Sequence, residues 1–225
     1  MSESGVKGSA GARLTISSKT YSAWSLRGWL LCRLAGLEVE EKTVINDAAN
    51  RAELLLLTPS VLVPRLDHEG ASVWDTLAIA EYLNEKFPDA GMLPADPIAR
   101  AHCRSVSGEI HSGFTNLRSA LPMNLKVEHE SFPIFSGARP DIERVEAIWN
   151  ECLDTYRGPF LFGEKPTVAD AMYAPVTRRF LSYAVPMDDR LRAYCETVAG
   201  WAPMAEWLVA AKAEPEDIEE LDVEF

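Results

Sequence analysis

Val63-Pro64 interrupts an apolar run that otherwise reads as a β-strand, and no other feature constrains this chain more. A proline has no N–H to give to a ladder, so Pro64 must lie where that group is not needed, and an X-Pro bond is the one peptide bond for which cis costs little. That leaves the backbone of Val63 open to a ligand. The surrounding residues 58–87, TPSVLVPRLDHEGASVWDTLAIAEYLNEKF, predict a turn at 67–70, a second short strand at 71–73, and a helix on which Leu77, Ile79, Ala80 and Leu83 recur at helical spacing. Thr76 is the candidate N-cap of that helix, whose unpaired N–H groups and positive dipole end would face any nearby carboxylate. An edge-strand proline followed by an ordinary capped helix fits the same residues.

Upstream, Leu14 and Ile16 begin a short strand, and residues 17–25, SSKTYSAWS, form a hydroxyl-rich loop. Residues 26–35 place Leu26, Leu30 and Leu34 on one helical face, with Gly36 as the stop signal. A second strand over 38–45 and a helix over 48–57 complete the order βαβαββα, in which the βαβ opening implies parallel pairing of the first two strands. Residues 88–97 carry three prolines and a glycine and read as a linker. Everything from 98 to 213 is helical in pattern: a long helix over 98–120, an irregular connection over 122–140, a helix over 142–156, a capping box at Thr167 and Asp170 opening another, and two more around 189–198 and 203–213. Residues 1–12 and 214–225 read as flexible tails.

Val-Pro, about ten residues, then an acid and a hydroxyl residue opening a helix with isoleucine in its first turn resembles the glutathione-binding half of the glutathione transferases. The resemblance extends over residues 14–213. It implies an α/β thioredoxin-like domain (13–87) followed by an all-α domain (98–213) that forms the pocket for a small-molecule electrophile. It also implies glutathione as cosubstrate, a homodimer and a cytoplasmic location. Carried over by position, Val63 pairs with the cysteinyl backbone of glutathione beside cis Pro64, Asp75 and Thr76 hold its γ-glutamyl end, and Trp24 and Leu62 complete the contacts. Leu62 stands where many members place a lysine or glutamine.

In that family the residue that activates glutathione lies at the start of the first helix, and counting back from Gly36 reaches Ser22. A hydroxyl that donates to sulfur favours thiolate over thiol, helped by the helix dipole. Lowering a thiol pKa from about 8.5 by roughly two units requires about 2.7 kcal/mol, within reach of one charge-assisted hydrogen bond and a dipole. Tyr21, Ser25 and Ser18 are the alternatives, Ser25 sits where the helix N-cap is expected, and Ser22 could equally bond its own backbone. On the electrophile side the resemblance points to Tyr21, His111 and Arg118, with Pro122, Met123 and Asn124 at the rim; His111, Phe114 and Arg118 fall three and four apart on one helical face. A packed histidine beside Phe114 and an Arg118–Glu109 ion pair are the structural alternatives.

The nearest class is zeta, the maleylacetoacetate isomerase-like members. That class carries Ser-Ser-Cys and Arg-Val-Arg where this chain has residues 21–29, YSAWSLRGW, so only Arg27 keeps register. Its substrate-holding arginine falls at Ser182, one turn beyond Arg178 and Arg179. A glutathione-dependent cis-trans isomerase and a non-catalytic binding protein on the same fold are the rival readings. Asp170 reads as a structural residue of the capping box.

A net charge of -12 and a pI near 4.8 argue against nucleic-acid binding, which needs clustered Lys and Arg. Residues 212–225 hold seven acids against one lysine, a solvated tail or an interaction arm. The four cysteines form no C-x-x-C pair and no signal peptide is evident, so reduced thiols are expected. The four histidines show no ligand spacing and no run of ~18 apolar residues occurs, so neither a metal nor a membrane span is expected.

Overall fold

Leu14 and Ile16 are fully buried on the first strand of a four-stranded sheet in the computed structural model, which describes residues 11–44 and 62–215. That strand, β1 (Arg13–Ile16), pairs in parallel with β2 (Glu40–Thr43) and antiparallel with β3 (Arg65–His68), which in turn pairs antiparallel with β4 (Ala71–Trp74). The order is β2-β1-β3-β4. β2 is shorter than the expected 38–45, and its sequence, EEKT, is exposed throughout, as suits an edge strand that must not recruit another chain. Ile45, the expected helix at 48–57, and the segments 1–10 and 216–225 lie outside the described residues.

Pro64 precedes β3 instead of sitting within a strand. The last ladder pair is Thr15 with Arg65, so the Val63-Pro64 bond, which is cis, falls just outside the pairing and the missing N–H costs nothing. Pro64 is buried against the first helix, α1 (Ala23–Leu34), at Gly28, where an added Cβ would come within 2.5 Å of the Pro64 ring. Only a glycine admits that approach. α1 begins three residues before the periodicity of its leucines suggests, because Ser22 is its cap: the Ser22 Oγ accepts from the Ser25 N–H at 3.2 Å. Ser25 is not the cap; it is buried inside the helix, and its Oγ accepts from the Ser17 N–H at 3.0 Å. Gly36 follows the helix with φ 73°, the left-handed conformation that a glycine adopts freely.

The hairpin leads into α2 (Thr76–Lys86), and here too the cap differs from expectation. Asp75, at φ 74°, holds the N-cap position, and its Oδ1 accepts from the N–H groups of Leu77 (2.8 Å) and Ala78 (3.4 Å). Thr76 is the first helical residue, buried, with its Oγ1 unpartnered among the described residues.

After a 3-10 turn at Pro88–Ala90 the chain is helical: α3 (Pro97–Ser112), α4 (Thr115–Ala120), a 3-10 turn at Ser136–Ala138, α5 (Arg139–Tyr156), α6 (Val168–Ser182), α7 (Asp189–Gly200) and α8 (Ala202–Ala213). The single helix expected over 98–120 is therefore two. α3 tolerates Gly108 in its interior but ends at Gly113, where a Cβ would lie 2.9 Å from the Glu109 carbonyl, and Phe114 turns the chain through φ 64°. Arg118 then reaches back, donating from Nε to the Gly113 carbonyl at 3.1 Å and from Nη2 to that of Ile110. It satisfies orphan acceptors at the negative end of α3.

α6 is the axis of the second domain and is buried along nearly its whole length. It packs on α1 on one side, while Tyr173 and Phe180 meet Trp149 of α5 and Tyr194 of α7 meets the same ring at 5.1 Å. Trp29 of α1 and Trp207 of α8 approach to 5.3 Å, so one apolar core runs through both domains. Asp170 opens α6 fully buried, accepting from the Leu161 N–H (3.0 Å), the Thr167 N–H (2.8 Å), the Thr167 hydroxyl (3.0 Å) and the Tyr194 hydroxyl (3.2 Å). No described helix is long and apolar enough to cross a membrane, and no group of three His, Cys, Asp or Glu gathers among the described residues as metal ligands would.

Candidate active site

The elements that converge are the N-terminus of α1, the loop before β3, the N-terminus of α2, and the helical domain's α3, α4 and α6. Between the loop and N-terminus of α1 on one side and α4, residues 122–123 and α6 on the other lies a cavity of about 300 Å³ lined by Ser17, Ser18, Tyr21, Ser22, Trp24, Arg118, Pro122, Met123 and Arg179, among others; the described residues of the loop before β3, of α2 and of α3 line none of it. Asn124 lies outside it. With Tyr21, Met123 and Val127 it lines an adjoining space of about 230 Å³.

Proton accounting separates the hydroxyls near α1. Ser18 Oγ donates to the Glu214 carboxylate at 2.8 Å and accepts from the Thr20 and Tyr21 N–H groups, so its one proton is committed. Ser25 is buried. Ser22 Oγ accepts the capping bond from Ser25, which leaves its own proton to be offered elsewhere, at the positive end of a helix and on the cavity wall. The four cysteines supply no competing nucleophile. All are free and buried, and burial pushes the thiols of Cys32, Cys152 and Cys195 up to about 12 and that of Cys103 up to about 11.

A second cluster joins the two domains. His111 Nε2 lies 2.6 Å from Asp75 Oδ2, and the same imidazole meets Trp24 edge-on at 5.3 Å. Asp75 thus caps α2 with one oxygen and holds α3 with the other. Leu62 is exposed at 62%, and Val63 is half-buried beside it, before the cis bond. The sequence-derived residues Tyr21, Ser22, Trp24 and Arg118 share the cavity, and Asp75 and His111 attach to it through Trp24. His111 and Arg118 meet that ring from two separate helices. Arg118 does not pair with Glu109, which is taken by Arg144 at 2.6 Å.

The feature that sequence reasoning underweighted is arginine. Arg118 and Arg27 both lie over Trp24, their guanidinium carbons 5.1 and 4.7 Å from its ring centroid. Arg27 is fully buried, donating from Nε to the Met172 carbonyl at 2.7 Å while Nη1 and Nη2 find no acceptor among the described residues. Arg179, also buried, leaves Nε and Nη1 unpartnered there. Burial, and then the mutual repulsion of these groups, pushes the pKa of Arg27 well down and that of Arg179 down to about 10; burial also lowers Arg118. A guanidinium is a cation at neutral pH, so Arg118 and Arg179 give the cavity a positive wall. Arg178 turns away to Glu128 at 2.6 Å, and Ser182 is buried. Besides the register it keeps with the zeta class, an arginine within the apolar run LRGWLLC was the sequence signal for Arg27, and nothing local distinguished Arg179 from Arg178.

Known proteins match this arrangement. The N-terminal domain model of the glutathione S-transferases matches residues 21–86 and their C-terminal domain model matches 127–210. A probable maleylacetoacetate isomerase of Caenorhabditis elegans is 31% identical over 164 residues, 69% of this chain and 75% of that protein. Glutathione S-transferase 1 of Dianthus caryophyllus is 30% identical over 156 residues, 68% of this chain and 70% of its own length. Among solved structures, a glutathione transferase homolog from Burkholderia gl BGR1 with bound glutathione shares the fold at a TM-score of 0.68 and 22% identity, over 90% of this chain and 98% of that one. A thioredoxin-like sheet carrying a cis-proline loop, an acid-capped helix and an all-helical second domain, matched along both halves, makes this chain a member of the glutathione S-transferase family.

Proposed function

We propose that the protein holds glutathione along the cis-proline loop, stabilises its thiolate with the Ser22 hydroxyl and adds the sulfur to a small, carboxylate-bearing electrophile. The observation that carries this is Ser22 on the wall of a cavity also lined by Arg118 and Arg179, its hydroxyl donating to no acceptor among the described residues. The main chain of Val63 would meet the cysteinyl backbone. Asp75 and the unpartnered Thr76 hydroxyl, at the start of α2, would take the γ-glutamyl end. A buried guanidinium with no acid partner among the described residues favours an anion nearby, because a ligand carboxylate would supply acceptors that Arg179 lacks. Proximity does the rest. A bound thiolate beside an oriented electrophile needs no general base.

The same arginines favour a second reading, in which the product is an isomer. Thiolate addition to a cis double bond conjugated with a carbonyl forms a C–S bond and sends the π electrons onto the carbonyl oxygen. Rotation about the new single bond and expulsion of the thiolate return a trans alkene and unchanged glutathione. The discriminating measurement follows glutathione during turnover of a neutral aryl halide and of a cis-enone dicarboxylate. Consumption mole for mole marks a transferase, trans product with glutathione conserved marks an isomerase, and no enzyme-dependent reaction with either defeats both readings.

Arg179→Met should raise KM for the carboxylated substrate about ten- to hundredfold, the loss of one charge-assisted hydrogen bond, and leave the neutral one nearly unchanged. Equal losses on both substrates would place Arg179 in the scaffold instead.

A further inference from the structure

We propose that Glu214 is a positioning residue for the reaction: its carboxylate, at the end of the helical domain, holds the loop that presents Ser22. The inference rests on the reading of Ser22 given above. Glu214 reads in the sequence as the first residue of a solvated acidic tail, yet it is half-buried and clasped by the loop between β1 and α1. Its Oε1 accepts from the Lys19 N–H at 2.7 Å; its Oε2 accepts from the Ser18 hydroxyl (2.8 Å) and the Thr20 N–H (3.0 Å) and lies 2.8 Å from the Thr20 hydroxyl, which is also within 3.1 Å of the Ala211 carbonyl. Successive backbone N–H groups form a concave anion nest, and here the chain fills it with its own carboxylate.

The link from that nest to the site is direct. Ser22 donates its N–H to the Ser18 carbonyl at 3.1 Å, so Ser18 is gripped on its side chain by Glu214 and on its main chain by the residue proposed to activate glutathione. The same grip consumes the Ser18 proton, which keeps a second hydroxyl on the cavity wall from competing for the sulfur. Other ties from the helical domain reinforce the loop: Trp207 Nε1 donates to the Lys19 carbonyl at 3.0 Å, the Leu125 N–H to that of Thr20 at 3.2 Å, and Lys126 Nζ to the Glu214 carbonyl at 3.0 Å. Burial alone would raise the Glu214 pKa, but the bonds from Lys19, Thr20 and Ser18 outweigh it and hold the group below the usual glutamate range. At neutral pH it is a carboxylate, an acceptor only.

The test titrates the thiol of bound glutathione in the wild type, Ser22→Ala, Glu214→Ala and Glu214→Gln, with thermal melting of each. Glutamine keeps the shape but presents an amide NH2 on one side, so it can serve only part of the nest. The expected result is a bound-thiol pKa about one unit higher in Glu214→Ala, about threefold less thiolate at pH 7, with Glu214→Gln between it and the wild type. Folded Glu214 variants that melt earlier but keep the wild-type thiol pKa would reduce the carboxylate to a structural tie and overturn the proposal. If Ser22→Ala abolishes the shift while the Glu214 variants retain it, only the positioning role falls; if Ser22→Ala retains it, the reading of Ser22 falls and takes this proposal with it. Should Glu214→Ala not fold, Glu214→Gln and Thr20→Val carry the comparison.

Discussion

Replacing Ser22 with alanine is expected to return the thiol of bound glutathione to near its free pKa of about 8.5, from a value roughly two units lower, and to slow thiol addition at pH 7 about 25-fold through the loss of thiolate. The hydroxyl is placed for this by a cap. Its oxygen accepts from the Ser25 N–H, a bond that does not commit the hydroxyl proton, and the residue lines the cavity. KM for glutathione should change by less than a few fold, since the expected binding contacts, Val63, Asp75 and Thr76, are untouched. The substitution also removes an N-cap, which costs about 1 kcal/mol of stability, so melting must be followed alongside the titration. Ser22→Thr keeps the hydroxyl and should recover part of the shift. A folded Ser22→Ala protein that still binds glutathione as thiolate would move the activating role elsewhere, to one of the other hydroxyl residues on the cavity wall, Ser17, Ser18 or Tyr21.

Asp170→Ala should be the most destabilising single change outside the site, by about 3–5 kcal/mol, because it strips acceptors from buried donors while leaving the donors in place. The Leu161 and Thr167 N–H groups and the Tyr194 hydroxyl have no route to water where Asp170 stands fully buried. Burial pushes the Asp170 pKa up, and the same donors act against that by favouring the carboxylate. Asp170→Asn retains the volume and one acceptor and should lose less, about 2 kcal/mol. Chemical denaturation of the variants measures both. A loss under 1 kcal/mol for alanine would mean that the opening of α6 relaxes to expose those groups. Activity per folded molecule should survive in either variant, which separates this acid from Asp75.

Both results depend on features that differ in how readily a sequence shows them. The Val63-Pro64 pair, the hairpin after it and the acid-hydroxyl pair at 75 and 76 follow from local chemistry: a proline cannot serve a ladder, and a helix must cap its N–H groups. The capping box of α6 is legible for the same reason, since its parts lie three residues apart. Choosing between Asp75 and Thr76 as the cap was beyond local rules. Either side chain can accept from the helix, and the outcome turned on the φ of 74° that Asp75 adopts between the hairpin and the helix, where its second oxygen meets His111. Ser22 and Ser25 pose the same problem, resolved by the burial of Ser25 within the first turn of α1.

The broken helix shows a different limit. Gly108 and Gly113 are alike in sequence, yet Gly108 has open space where a Cβ would go and Gly113 lies against the Glu109 carbonyl, with Arg118 folding back over the break. What the sequence by itself determined was the strand-helix-strand opening, the hairpin and helix that follow the Val63-Pro64 pair, the capped start of α2 and the helical second half, all written within spans of a few residues. Only the tertiary structure decided which arginines face the cavity and what becomes of Glu214. Arg178 and Arg179 are adjacent, but about 100° apart around α6, so one meets Glu128 and the other the cavity. Glu214 reaches Ser18 across 196 positions of chain, a distance over which no periodicity carries information and only packing brings groups together.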